Sequence, residues 1–304
     1  MEFQRIAAQP LLDLSAVPWC PDKRVMKGDK RFETIPEVRR TIVHPSVIEL
    51  GRYVPGAPRF ILYYAPHHSD GIGAATAEEL TGPWTPLPQN PILRMADVPC
   101  LSNHISGPDV IYVPEERRFR MYFHGSVPGV GQQSAMAVSK DGVRWRLEPQ
   151  RVVLPYPYLR VFRRGGWYYG ICRLGVDLGL VRSRDGIAWE DWPRGKLLAT
   201  GEEQKEYDRL RHYHILVRDD TLLLYYCTYT APDLSVESIK LASMPISGDW
   251  AAWPYPERLG VVLAPELAWE QSNLRDPYLM EADGRLYMFY VGGNEAGIGL
   301  ARAE

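Results

Sequence analysis

The sequence predicts an all-β fold: a five-bladed β-propeller of four-stranded blades, its ring closed by a strand from the N-terminal region. Three observations predict it. The 304 residues include 26 Gly, 26 Pro, 18 Tyr and 9 Trp, a composition suited to short aromatic strands joined by turns. No long helical period stands out, and the stretch EEQKEYDRLRHY (202–213) can make about two helical turns at most. One compound pattern recurs five times. An apolar strand opens at a polar or Pro-containing mouth, and a turn leads to a strand rich in Tyr and Phe. A Gly-bearing loop then leads to a strand of small residues, and a further turn closes on Trp.

The first copy reads HPSVIEL, RFILYYA, IGAATA and TGPW. The second reads GPDVIYV, RFRMYFHG, SAMAVS and DGVRW; its Gly-Pro pair starts the inner strand, and its Asp-Gly turn supplies the positive φ that a tight hairpin needs. The third reads PYLRVF, GWYYGIC, LGLVRS and DGIAW, with the same hairpin chemistry. The fourth reads HYHILV, TLLLYYC, SIKLAS and SGDW. The fifth reads RDPYLM, RLYMFYV and GIGLARA. With His44, Asp109, Tyr158, His214 and Asp276 as anchors, the steps are 65, 49, 56 and 62 residues. Four strands per step of that length is the signature of propeller blades. A single domain over 1–304 is expected, with blades near 41–98, 99–155, 156–200, 206–266 and 272–304. The fifth copy lacks the outer strand that NPIL, RVVL, KLLA and GVVLAP supply to the others. QPLLD (Gln9–Asp13) is expected to provide it, which also removes an open sheet edge. A loose N-terminal arm is the alternative.

Composition narrows the function classes. Hydrophobic residues make up 45% and charged residues 24%, as in globular proteins with a substantial core. A net charge of −2 leaves no basic footprint for nucleic acid and no bias toward a membrane surface. No apolar run reaches the roughly 18–20 residues of a membrane-spanning helix. The opening MEFQRIAAQPLLDL lacks a charged region followed by an apolar one, so a cytoplasmic location is expected. Cys20, Cys100, Cys172 and Cys227 are widely spaced, which predicts free thiols rather than a zinc site or a disulfide framework.

In a propeller the starts of inner strands and the loops between second and third strands share one face. The mouths carry His44, His104 with Asp109, Arg160, His212 with His214, and Arg275 with Asp276. The loops carry His67, His68 and Asp70, then His124, Arg173 with Asp177, Asp233, and Glu295. All seven histidines fall on this face, which is therefore read as the functional one. Histidine titrates near neutrality and is the commonest metal ligand, although any single histidine is more often a hydrogen-bonded scaffold residue. His212 and His214, two apart on a strand, are expected to point the same way. Asp276, before Pro277, fits either a pocket element or a turn residue. Asp141 and Asp185, in Asp-Gly hairpins, are expected to be structural. Second-strand tyrosines are expected between the blades, leaving Tyr158, Tyr213 and Tyr229 as pocket candidates. No cofactor is required. The pair His212 and His214, with His44 or Asp109, could hold a central cation; oxygen ligands would suit Ca²⁺, and several histidines a transition metal.

The segments HISGPDVIYVPEERRFRMYFHG, SKDGVRW, PYLRVF and NLRDPYLMEADGRLYMFYVGGNEAGIGLARAE resemble the glycoside hydrolase family 43 superfamily, with its relatives families 32, 68, 117 and 130. The resemblance runs from about residue 40 onward and implies a small carbohydrate or glycoside as substrate. Family 43 enzymes place a base Asp on blade one, an acid-tuning Asp on blade two and an acid Glu on blade three. An inverting pair of this kind stands about 6.5–9.5 Å apart. On that pattern Asp109 keeps the blade-two position. His44 with Ser46, and Arg160, stand where the other two carboxylates would be. Asp70, Asp177 or Glu295 can supply the missing acids from loops, or His44, His104 or His212 can take their place, as family 117 resembles. The candidate catalytic set is thus Asp109, His104, His44, His212 and Asp276. Arg160, Arg275, His214, His124, Asp70, Asp177, Glu295 and Tyr158 are the candidate substrate-binding set. A glycoside hydrolase is the leading expectation. A lyase, isomerase or cyclase on the same scaffold and a non-catalytic carbohydrate-binding propeller are the alternatives.

Overall fold

Each repeated copy becomes one antiparallel sheet. The computed structural model describes residues 2–20, 24–27, 31–34, 40–67, 71–200, 210–230 and 236–304. Blade one pairs Val43–Ile48, Phe60–Ala65 and Gly71–Ala77, with an outer edge made of Thr85–Pro86 and Leu93–Arg94. Blade two runs Ser102–Val113, Arg118–Val127, Gly131–Ser139 and Arg146–Leu147. Blade three runs Arg160–Arg164, Trp167–Leu174, Asp177–Ser183 and Glu190–Leu198. Blade four runs Arg211–Arg218, Thr221–Thr230, Val236–Pro245 and Glu257–Leu263. Blade five holds Arg275–Ala282, Arg285–Gly292 and Gly297–Ala303. Every inner strand contacts the inner strands of both neighbouring blades, and blade five returns to blade one, so the ring is closed. A hairpin of Arg24–Lys27 and Arg31–Thr34 precedes blade one.

The N-terminal segment completes blade five and does so twice over. Leu12–Asp13 pairs with Gly297–Ile298, as expected of QPLLD, and Phe3–Arg5 pairs further along with Ala301–Ala303. The outer edge of blade one is split in the same way. The likeness extends past the strand. Asp13 and Arg94 each precede a single 3-10 turn, Leu14–Ala16 and Met95–Asp97, and buried Val17 and Val98 follow.

The third strands carry small residues because aromatic rings lie flat on them. Tyr64 faces Gly73 and Tyr290 faces Gly299 across the ladder. A Cβ at Gly73 would stand 2.9 Å from both Tyr64 and Trp19, and one at Gly299 2.5 Å from Tyr290 and 2.9 Å from Trp269. The expected inter-blade aromatics are indeed core: Tyr63, Tyr64, Tyr122, Phe123, Tyr225, Tyr226 and Tyr290 are buried. Some also staple one blade to the next. The Tyr63 hydroxyl donates to the Gly142 carbonyl (2.8 Å), and that of Tyr122 to Gly186 (3.1 Å). Both acceptors belong to the Asp-Gly turns. There the carboxylates of Asp141 and Asp185 accept backbone N–H groups from Val143 and Arg144, and from Ile187 and Ala188.

Candidate active site

The inner strands enter their sheets through one repeated irregularity. His44, Gly107, Tyr158 and Asp276 all take left-handed φ, at 58°, 65°, 61° and 52°. Ladder pairing then resumes two residues later, at Ser46, Asp109, Arg160 and Tyr278. In blade four a register shift between Arg211 and Tyr213 releases His212 from the ladder in the same way. The five mouths thus present His44, Gly107, Tyr158, His212 and Asp276. Blade two alone offers no side chain there, and His124 from its second strand fills the place. A Cβ on Gly107 would meet the His124 imidazole at 2.6 Å. Gly107→Ala therefore adds a left-handed backbone penalty to a collision with His124. Urea unfolding is expected to show a loss of about 1–3 kcal/mol.

Asp276 lies at the centre of the cluster and is fully buried. Its Oδ2 accepts the backbone N–H of His44 at 3.1 Å. Its Oδ1 is 3.2 Å from His44 Nδ1 and in contact with His212 Nδ1. The His44 and His212 rings meet edge-on at 4.6 Å. Tyr158 is sandwiched between His212, stacked at 5.1 Å, and His124 at 4.0 Å. His104 stands edge-on to His124, with its Nε2 3.2 Å from Gln132 Nε2. Beside Asp276, Arg275 donates to Glu295 at 2.7 Å and also to Glu237. Both Glu295 oxygens lie 3.1 Å from Nδ1 of the partly exposed His67.

Burial sets the charge states. It pushes His212 down to about 3, against the pull of the Asp276 carboxylate. It pushes His104 down to about 4, helped by repulsion from His67 and His44, and His124 well below the ordinary value. Burial works to raise Asp276, yet His212 and His44 hold it well below the usual carboxylate range. Near neutral pH the mouth therefore sets the Asp276 anion against a neutral His212, with His104 and His124 neutral beyond it. A pH effect follows from linkage. Below about 6.5 the unfolded chain protonates His104, while the folded chain resists down to about 4. The unfolded state then binds more protons, so stability falls as pH falls through that window. Denaturation midpoints measured from pH 7 to 4 should decline, and His104→Gln should flatten the decline.

Several expected site residues lie elsewhere. Asp109 sits two residues past the mouth position of its blade, buried. Its Oδ2 accepts the Val161 N–H at 2.7 Å, and its Oδ1 lies 3.4 Å from Arg160 Nη1. Burial pushes its carboxyl up, against the pull of Arg160 and Val161. Arg160 in turn donates to the Pro108 carbonyl at 2.6 Å. This pair ties blade two to blade three beneath the mouth. His214 does not share the direction of His212. The register shift separates them, and His214 accepts the Leu279 N–H at 3.1 Å while packing on Tyr278 at 4.0 Å. Asp177 is engaged within its own blade, by Lys196 of the outer strand at 2.5 Å and by the N–H of Thr200, just past that strand, at 2.8 Å. His68, Asp70 and Asp233, and the side chain of Tyr229, lie outside the described residues. Tyr213 is buried and donates to the Tyr158 carbonyl at 2.6 Å, holding the residue that lines the mouth. Sequence reasoning missed Glu237 and Gln132. Glu237 is a fully buried carboxylate in a third strand of small residues, and that contrast in VESIKLAS was the available signal.

No protein-family profile matches the chain. It is 28% identical to the uncharacterized protein R118 of Acanthamoeba polyphaga mimivirus, over 81% of this chain and 76% of that one. Among solved structures, it is similar to a family 43 β-xylosidase/α-arabinofuranosidase from a compost microbial metagenome, in complex with xylotriose in a calcium-free form. The TM-score is 0.66 at 13% identity, covering 99% of this chain and 94% of that one. It is also similar to an N-acetylgalactosamine deacetylase from F. plautii in complex with blood group B trisaccharide, with a TM-score of 0.64 at 14% identity, covering 99% and 95%. A thermostable family-43 glycoside hydrolase matches with a TM-score of 0.62 at 14% identity, covering 87% and 90%. The chain shares the five-bladed propeller fold of these solved structures, family 43 glycoside hydrolases among them.

Proposed function

We propose that the chain is a carbohydrate-active hydrolase whose reaction takes place at the channel mouth, on the cluster of Asp276, His212 and His44. One observation carries this reading: inner strands from three blades converge there on a single buried carboxylate. The cluster has the parts that water activation needs, an anion with imidazoles oriented against it. The rings of Tyr158 and His124 offer an apolar face for a sugar. Glu295, Arg275, His67 and Gln132 offer groups able to hold its hydroxyls. The similar solved structures, whose titles name xylotriose and a blood group trisaccharide, support a carbohydrate ligand. The leading substrate class is a glycoside or small oligosaccharide.

A second reading is removal of an acyl group from a sugar. It is favoured by the dominance of imidazoles over carboxylates at the mouth. Aryl glycosides, oligosaccharides and acetylated sugars should therefore be screened together, with reducing ends and acetate measured separately. Turnover that depends on Asp276 supports the proposal. Sugar binding by calorimetry with no turnover of any substrate would replace it with a carbohydrate-binding propeller. We further propose a cytoplasmic location, supported by four cysteines that form no disulfide among the described residues.

A further inference from the structure

The mouth cluster contains buried polar atoms for which the described residues offer no well-formed hydrogen bond, only close contacts within the cluster itself. They are both ring nitrogens of His44, Nδ1 of His212 and Oδ1 of Asp276. The three residues are 1%, 8% and 0% exposed, so bulk water does not satisfy these atoms. One ligand atom from each lies within 4.8 Å of the other two. His44 Nδ1 and Asp276 Oδ1 are 3.2 Å apart, whereas His212 Nδ1 is in direct contact with that oxygen and would draw back to share an ion with it. Two ligands bound at about 2.1 Å to one ion stand about 3.0–3.4 Å apart, for bond angles between square and tetrahedral.

We propose that His44, His212 and Asp276 bind one divalent transition-metal ion at the channel mouth. This rests on the reading of that mouth as the reacting site. Donor chemistry selects the class of ion. Ca²⁺ takes six to eight oxygen ligands, whereas two imidazole nitrogens and one carboxylate oxygen suit Zn²⁺, Mn²⁺ or Co²⁺. Three protein ligands leave at least one position for water or a sugar hydroxyl, the arrangement of catalytic rather than structural sites. The second layer is in place as well. The His44 N–H holds Asp276 Oδ2 at 3.1 Å, which orients Oδ1. Tyr158, stacked on His212, fixes the plane of that imidazole. Because the ligands come from blades one, five and four, the ion would also tie three blades together.

The test uses the full chain stripped with EDTA, with no sugar present. Calorimetric titration with Zn²⁺ is expected to show one equivalent bound, and Ca²⁺ none. Co²⁺ is expected to give the visible absorption bands of a nitrogen-ligated ion. Tm should rise by about 4 °C at a hundredfold excess over Kd. His212→Gln and Asp276→Asn should each weaken Zn²⁺ binding by about a hundredfold or more, while Asp177→Asn leaves it unchanged. Absence of stoichiometric binding to the wild-type chain would overturn the site. So would undiminished binding in His212→Gln, or Co²⁺ bands without nitrogen ligation. The wild-type titration and spectrum decide the matter even where a variant fails to fold. Because no sugar is needed, failure of the hydrolase reading leaves this result standing. Conversely, full hydrolysis by stripped protein that binds no Zn²⁺ removes the metal and keeps the hydrolase.

Discussion

Asp276→Asn is expected to lower kcat by roughly 10³–10⁴, the scale seen when the carboxylate that orients a reacting imidazole is made an amide. The amide keeps the size of the side chain and can still accept the His44 N–H now held by Oδ2. It removes the only negative charge in contact with His212 and His44 among the described residues. Stability should fall modestly, because His212 and His44 hold the Asp276 carboxylate well below its usual range, so folding favours the anion that the amide removes. A loss of kcat far larger than the fall in the urea midpoint can explain is the expected signature. A kcat within tenfold of wild type would remove Asp276 from the reaction.

Asp109→Ala is expected to behave in the opposite way. It leaves the Arg160 guanidinium and the Val161 N–H buried without their acceptor. Breaking a buried ion pair from one side costs roughly 3–5 kcal/mol, which for a chain of this length is a fall in Tm of about 5–8 °C. On the proposed function, the surviving folded protein should keep kcat within about tenfold, because Asp109 sits two residues past the mouth and is engaged by Arg160 and Val161 of blade three. Replacing both partners, Asp109→Leu with Arg160→Met, should recover most of the loss, since neither then leaves a charge unpaired. A kcat collapse in Asp109→Ala at unchanged Tm would place Asp109 among the reacting groups instead.

The contrast between these residues shows what could be read from the sequence. The blades were legible because strand chemistry is local. Asp-Gly turns, Tyr-rich second strands and small third strands each leave a pattern within ten residues. The mouth residues His44, His212 and Asp276 were legible for the same reason, since each stands at the start of an apolar run. Depth was not legible. HPS, GPD and DPY look alike, yet the residue before Pro stands at the mouth and the one after Pro enters the ladder. That difference depends on a left-handed φ at the first position. His214 illustrates a second limit. Two-residue periodicity predicts a shared direction with His212, and one register shift cancels it. Glu237 illustrates a third. Its importance comes from Arg275, 38 positions away and on another blade, and no local pattern encodes such a partner.

The pairing of Phe3 with Ala303 has a consequence for how the protein is made. A ribosome adding about 5–20 residues each second exposes the first strand about 15–60 seconds before its partner exists. Through that interval the N-terminal strands have nowhere native to go, and four finished blades form an arc with two open ends. The last blade can be sealed only once residues 301–303 have been made and exposed, by a contact spanning 300 positions of chain. Such long-range closure is slow. Nascent chains stalled before residue 297 should therefore be markedly more sensitive to protease and to self-association than chains in which residues 297–303 have cleared the ribosome.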